Sequence, residues 1–79
     1  MGVVLARQGS SGEPVKKLQT MLNFLGASPK LTVDGIFGAK THASTVAFQK
    51  QAQLVQDGIV GPNTAKALML ASFKKVAGK

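Results

Sequence analysis

Acidic side chains are the first candidates for chemistry in this sequence, because a glycosidase generally needs two carboxyl groups flanking the bond it cleaves. Glu13, Asp34 and Asp57 supply the three side-chain carboxylates. Asp34 and Asp57 each open a segment that reads Asp-Gly-Ile. Asp before Gly suits a tight turn, in which the carboxylate accepts a backbone N–H two residues further on. Because the placement is duplicated, we expect two turn-forming aspartates and not a catalytic pair.

His42 is the single histidine, and the chain has no cysteine. A metal site or a nucleophile with its base needs further ligands or partners, and the sequence around His42 offers none. We expect a solvent-facing histidine on a helix. The sequence therefore predicts no metal, no cofactor and no enzymatic activity, and it excludes disulfide scaffolds and zinc fingers.

Positive charge dominates the composition: ten Lys and Arg stand against three Asp and Glu, a net charge of +7 over 79 residues. This balance favours an anionic partner, such as nucleic acid, a membrane surface or a wall polymer. No nucleic-acid recognition signature accompanies the lysines, so specific nucleic-acid binding is not expected. The 44% of hydrophobic residues are too interrupted for a membrane span. Residues 1–6 are too short an apolar run for a cleavable signal peptide, which needs roughly 7–15 residues.

The apolar spacing predicts three helices that would position these side chains, at about 13–25, 39–52 and 62–73. Gly26 follows the first helix as a residue able to adopt the left-handed conformation. Residues 74–79 are expected to be a fraying basic tail. The expected fold is all-α, a compact three-helix bundle forming a single domain over 1–79 with its core within 9–73. The residues expected inside or at the edge of this core include Ile36, Phe37, Phe48, Ile59, Val60, Leu68, Met69 and Phe73.

An internal repeat organises the second and third helices. The segment 34–41, Asp-Gly-Ile-Phe-Gly-Ala-Lys-Thr, is echoed by 57–64, Asp-Gly-Ile-Val-Gly-Pro-Asn-Thr, at a constant offset of 23 residues. This indicates one turn-and-helix unit used twice. The residues expected to shape the turns and begin the helices are Asp34, Gly35 and Gly38 in the first unit and Asp57, Gly58 and Gly61 in the second.

The motifs taken together resemble the peptidoglycan-binding domain 1 family over about residues 9–70. The resemblance implies a three-helix, non-catalytic module with two pseudo-repeated halves, usually attached to enzymes that act on the bacterial wall. The residues that carry it are Gly9, Gly12, Val15, Leu18-Gln19, Leu22, 34–41, Phe48-Gln49, 57–64 and Leu68.

The function implied by this resemblance is attachment to peptidoglycan, through its glycan strand or stem peptide, by a monomer acting at the bacterial cell wall or periplasm. Such a module would hold a linked or partner wall hydrolase near its polymer, as the binding end of a phage-type endolysin does. Two alternatives remain open. The absence of Trp and Tyr, which could stack on sugars, leaves room for a protein–protein interaction module on the same fold. The charge of +7 leaves room for nonspecific binding to nucleic acid or another anionic polymer.

The starts of helices 2 and 3 are the predicted ligand site, because a helix N-terminus offers unpaired N–H groups and a partial positive charge to a carboxylate. In the alternative interpretation, Thr41 and Thr64 only cap helices 2 and 3. Phe24 is expected either to wall the site or to contact the loop 27–33. The predicted groove is bordered by Lys40, Thr41, Asn63, Thr64 and Lys66, with Phe24 as a further wall.

Overall fold

Three helices, each preceded by a glycine, make up most of the chain that the computed structural model describes, which is residues 4–78. Helix α1 spans Glu13–Phe24, α2 spans Ala39–Gln51 and α3 spans Pro62–Ala77. Isolated antiparallel bridges join Ala6 to Val60 and Ser11 to Ile36. The predicted all-α, three-helix fold is confirmed. Within the described residues, no helix is both long enough and apolar enough to cross a membrane.

Helix α1 ends in a turn that also fixes the loop after it. Gly26 has a φ of +97°, and its N–H donates to the carbonyl of Asn23 at 3.0 Å. The N–H of Ala27 donates to the carbonyl of Leu22 at 2.9 Å, which completes a Schellman ending. The Asn23 side chain then pairs with both backbone groups of Leu31, at 2.7 and 2.9 Å. The loop is therefore held against the helix that precedes it.

One residue of each apolar pair in the repeat enters the core, where two were expected. Phe37 and Val60 are buried, whereas Ile36 is exposed and Ile59 is half-buried. Neighbouring residues in an extended segment point to opposite sides, so both members of a pair cannot face the core. The buried apolar residues are Ala6, Val15, Leu18, Leu22, Leu31, Phe37, Val60 and Leu68, with Phe48 packed at their edge. Ala6 extends this core beyond the expected limits of 9–73; the single-domain division itself stays a prediction.

The end of α3 differs most from the prediction. The fraying tail expected over 74–79 is wrong for residues 74–77, which continue the helix, while Lys79 lies outside the described residues. Alanine and lysine are good helix formers, and lysines in the last turn interact favourably with the helix dipole. Lys75 also donates to the backbone carbonyl of Phe24 at 2.6 Å. Phe73 and Met69, expected in or near the core, are exposed on this extended helix.

Candidate ligand-binding surface

A buried glutamine holds the first Asp-Gly turn. Gln19 of α1 has its Nε2 within 3.1 Å of three acceptors, the Asp34 carboxylate, the Ile36 carbonyl and the Thr41 hydroxyl. Its Oε1 accepts the N–H of Gly35 at 2.9 Å. Asp34 in turn accepts the N–H of Ile36 at 2.9 Å. One side chain therefore connects α1, the turn and the start of α2, and we call this set the first glutamine clamp.

The second Asp-Gly turn repeats this arrangement with Gln49 of α2. The Gln49 Nε2 lies 3.0 Å from the Asp57 carboxylate, 3.1 Å from the Ile59 carbonyl and 3.0 Å from the Thr64 hydroxyl. Its Oε1 accepts the N–H of Gly58 at 2.9 Å, and Asp57 accepts the N–H of Ile59 at 2.9 Å. This second glutamine clamp fixes the start of α3 as the first fixes the start of α2.

The two glutamines are among the residues that carry the family resemblance, but no structural role was predicted for them from the sequence. Each follows a large apolar residue, in Leu18-Gln19 and Phe48-Gln49, and each is buried. The available signal was a long polar side chain on the buried face of a helix in both repeats. A buried amide needs hydrogen-bond partners, and the polar Asp-Gly turn that follows is where they are found.

Thr41 and Thr64 lie beneath the surface at the two helix starts. Their hydroxyls accept hydrogen bonds from Gln19 and Gln49. The N-cap residues of the two helices are Gly38 and Gly61, which make no side-chain capping hydrogen bond. The threonines therefore support the helix starts from inside. From the sequence, they were expected either to border an open groove or to cap their helices.

Hydrogen bonds to the turn aspartates favour their charged forms. The Ile36 N–H, followed by the Gln19 amide, holds the pKa of Asp34 below its ordinary value of 3.8. The Ile59 N–H is the largest cause that lowers the pKa of Asp57. Each turn is therefore tightest when its carboxylate is ionised.

Acid should weaken the fold through these two turns. Because their pKa values are lower in the folded chain, the aspartates contribute stability that is present above pH 3.8 and lost as the pH falls through the folded values. The double variant Asp34→Asn/Asp57→Asn keeps the acceptor oxygens without the titration. We expect its urea midpoint to fall less than that of the original chain between about pH 5 and about pH 2. If the urea midpoints of the two proteins fall equally with pH, the prediction is wrong.

Separate depressions lie beside the two helix starts, where the sequence analysis expected one shallow groove. The first, of about 300 Å³, is bordered by Asp34, Ile36 and Lys40. The second, of about 470 Å³, is bordered by Val55, Asp57 and Asn63 among others. Lys66 is exposed on α3 but borders neither of them.

A third depression, of about 340 Å³, runs between the end of α1, the loop 26–31 and one side of α2. We call it the α1–α2 groove. Its walls are mainly apolar, and Lys40 is the one charged residue among those that line it. Lys40 therefore stands where this groove meets the depression at the start of α2. The residues lining the groove are Leu22, Leu25–Pro29, Leu31, Lys40, Ala43, Ser44, Ala47, Phe48 and Gln51.

Phe24 is not brought together with the helix starts. It is 43% exposed, and the Lys75 ammonium lies 5.1 Å from the centre of its ring. It lines none of the three depressions. Its described neighbour is thus the end of α3, which neither expectation for this residue included.

His42 lies against the second turn, which corrects the expectation of a solvent-facing side chain. It is half-buried, and a Cβ added to Gly58 would overlap its imidazole ring. Its Nδ1 and the Ser72 hydroxyl are buried, and neither has a hydrogen-bond partner within the described part of the chain. Among residues 4–78, His42 joins no group of three or more acidic or histidine side chains that could hold a metal ion.

The family model for the peptidoglycan binding domain matches residues 11–68, a span that contains both glutamine clamps. The chain belongs to this family. It is 47% identical to a probable N-acetylmuramoyl-L-alanine amidase of Bacillus licheniformis over 99% of this chain and 22% of that protein. It spans about a fifth of the length of the curated amidases it matches.

Two solved structures share the fold. The SleB N-terminal domain matches with a TM-score of 0.81 and 36% identity, covering 85% of this chain and 90% of that one. A peptidoglycan-binding protein from Clostridioides difficile, solved in complex with glutamine hydroxamate, matches with a TM-score of 0.75 and 44% identity. That alignment covers 80% of this chain and 39% of the other.

Proposed function

We propose that this chain is a non-catalytic module that binds bacterial peptidoglycan and holds a linked or partner wall hydrolase near its substrate. The observation that carries the proposal is the family match over residues 11–68. The similarity to an amidase that is several times longer supports a module serving a larger enzyme. Tethering raises the local concentration of substrate without any new contact at the catalytic site. The place of action is the bacterial cell wall or periplasm, and the proposal is for a monomer.

The absence of catalysis is supported by how the carboxylates are used. Asp34 and Asp57 accept hydrogen bonds from their own turns and from the glutamine clamps. Glu13 is exposed and lies 3.5 Å from the Lys16 ammonium. Hydrolysis of a glycosidic bond needs two carboxyl groups, one on either side of the bond. Here two of the carboxylates are used in separate turns and the third lies beside a lysine on the surface.

For the ligand, we propose contacts along the helix-start side of the molecule, with Lys40 as the principal residue and Asn63 and Lys66 as further ones. Lys40 is exposed and borders both a helix-start depression and the α1–α2 groove. Peptidoglycan stem peptides carry carboxylates, which an exposed lysine attracts. Thr41 and Thr64 would act indirectly, by fixing the helix starts from inside.

The test of the wall-binding proposal is co-sedimentation of the purified chain with insoluble peptidoglycan across a salt series, with duplex DNA as competitor. We expect the chain to sediment with the wall at physiological salt and to persist there when DNA is added. Binding driven by phosphate contacts would instead fall steeply with salt and be removed by DNA. A chain that stays in the supernatant at physiological salt would overturn the proposal.

A lysine substitution tests the proposed contact. We expect Lys40→Gln to weaken wall binding by about threefold to fivefold, since an exposed ion pair contributes up to about 1 kcal/mol. Lys50→Gln is the matched control, because Lys50 is also exposed on α2 but borders none of the three depressions. The measurement is the bound fraction against wall concentration. Equal affinities for the two variants would remove Lys40 from the proposed site.

A further inference from the structure

The second half of α3 lies beyond the part of the chain that the family model matches. The family match ends at Leu68, which is also the last buried residue of the helix. The helix nevertheless continues to Ala77. We call residues 69–77 the apolar extension, because four large apolar side chains in it are exposed: Met69 by 65%, Leu70 by 52%, Phe73 by 77% and Val76 by 60%.

These side chains form one continuous face. At 100° per residue, Met69, Phe73 and Val76 fall within an arc of about 60°, and Leu70 lies beside them. The face is about 10 Å long, given a rise of 1.5 Å per residue. The smaller residues Ala71 and Ser72 are half-buried and take the side toward the domain. A contiguous exposed apolar face of this kind marks an interaction surface.

The charges around the face select the partner. Lys66 and Lys74 are exposed: Lys66 lies about one turn before the face, and Lys74 lies beside Leu70. Helix α3 contains no Asp or Glu. The whole chain carries +7. In a symmetric dimer through this face, the flanking lysines of two copies would meet. The positive charge around the face therefore disfavours a second copy of this chain as the partner and favours an anionic surface.

The shape of the apolar face also indicates which kind of anionic partner it suits. None of the three depressions described above includes any residue of the apolar extension. The exposed side chains instead stand out from the surface of a single helix, with long lysine side chains beside them. A convex apolar ridge with lysine flanks suits a deformable surface that lets the apolar groups enter while the ammonium groups remain at the charged layer.

We propose that the apolar extension lies flat on an anionic lipid bilayer, with Met69, Leu70, Phe73 and Val76 entering the headgroup boundary and Lys66 and Lys74 contacting the anionic headgroups. The interaction is peripheral and reversible, because only two helical turns contribute. It does not involve Lys40 or Asn63, which the proposed function assigns to peptidoglycan, and Lys66 is the one residue that the two proposed surfaces share. The same molecule would then contact both the wall and the membrane surface beneath it.

Vesicle co-sedimentation tests this directly. We expect the chain to sediment with vesicles of phosphatidylcholine and phosphatidylglycerol and not with pure phosphatidylcholine vesicles. The double variant Met69→Ser/Phe73→Ser should reduce the bound fraction at least fivefold. Leu5→Ser is the matched control, because Leu5 is 53% exposed, like Leu70, but lies outside α3 and borders none of the three depressions. Wall co-sedimentation of all three proteins should be equal, and their urea midpoints verify that each is folded.

A fluorescence measurement gives a second readout, since the chain contains no Trp. We expect the emission of Phe73→Trp to shift to the blue when anionic vesicles are added, and that of Leu5→Trp to stay unchanged. Failure of the original chain to bind anionic vesicles would overturn the proposal, as would equal binding by the double variant. Concentration-dependent dimerisation that Met69→Ser/Phe73→Ser abolishes would also overturn it, by assigning the face to a second copy.

Discussion

Replacing Gln19 by Leu is expected to lower the free energy of unfolding by about 3 kcal/mol. Leucine fills a similar volume but leaves the Gly35 N–H and the Thr41 hydroxyl without the amide that now pairs with them. A buried polar group without a partner costs about 1–3 kcal/mol, and two such groups remain after the substitution. This is a large share of the stability of a domain of this size. Urea denaturation measures the change.

Gln56→Leu is the control for this prediction, because Gln56 is exposed and surface substitutions usually change stability by less than about 0.5 kcal/mol. Gln49→Leu serves as an internal replicate. Its hydrogen bonds match those of Gln19 to within 0.1 Å, so we expect a similar loss. If Gln19→Leu and Gln56→Leu shift the urea midpoint equally, the first clamp makes no net contribution to stability.

Gly58→Ala is expected to be at least as damaging, at about 4 kcal/mol. Gly58 is buried with a φ of +71°, a conformation that strains any residue with a side chain. The added methyl group would also overlap the His42 ring. Backbone strain and overpacking each cost about 1–3 kcal/mol, and here both act at one position.

Two comparisons separate the strain from the overlap. Gly9 has a φ of +101° but open space around the added Cβ, so Gly9→Ala measures strain alone, about 1–2 kcal/mol. In a His42→Ala background, Gly58→Ala should cost no more than Gly9→Ala does, because the overlapping ring is gone. An undiminished cost in that background would show that the histidine does not limit the space at Gly58.

Local pattern was sufficient to predict the helices and the repeat. The three- and four-residue spacing of Val15, Leu18 and Leu22 predicts α1, and all three residues are buried. Asp34 and Asp57 lie in turns of the kind that Asp-Gly favours, each accepting the N–H two residues on. These features depend on residues close together in sequence, where steric and hydrogen-bonding preferences act without knowledge of the whole fold.

Long-range contacts account for what the sequence did not predict. His42 lies on the turn of the other repeat, and Lys75 reaches Phe24 across 51 positions of sequence. Helical spacing does not reveal such neighbours. Phe73 was expected in the core or at its edge, yet it is 77% exposed. Burial depends on which surface a helix meets, and the packing of all three helices decides that.

For the candidate site, the accessibility of the side chains is the part that the sequence did not predict. Lys40 and Asn63 border depressions at the two helix starts. Thr41 and Thr64 occupy the same helical turns, but they face inward toward the glutamines. Both threonines line these depressions but are buried, and the glutamine that bonds to each one belongs to the preceding helix. That pairing becomes visible only when both helices are in place.

The glutamine clamps join the three helices in series. Each clamp reaches from one helix to the turn that starts the next, so a unit is locked by the unit before it. The 23-residue offset between the two repeat units takes Gln49 to Ser72, whose buried hydroxyl has no hydrogen-bond partner among residues 4–78. A serine is too short to span the distance that glutamine spans. A third clamp, from α3 to a further unit, would therefore require Ser72→Gln together with a third Asp-Gly turn.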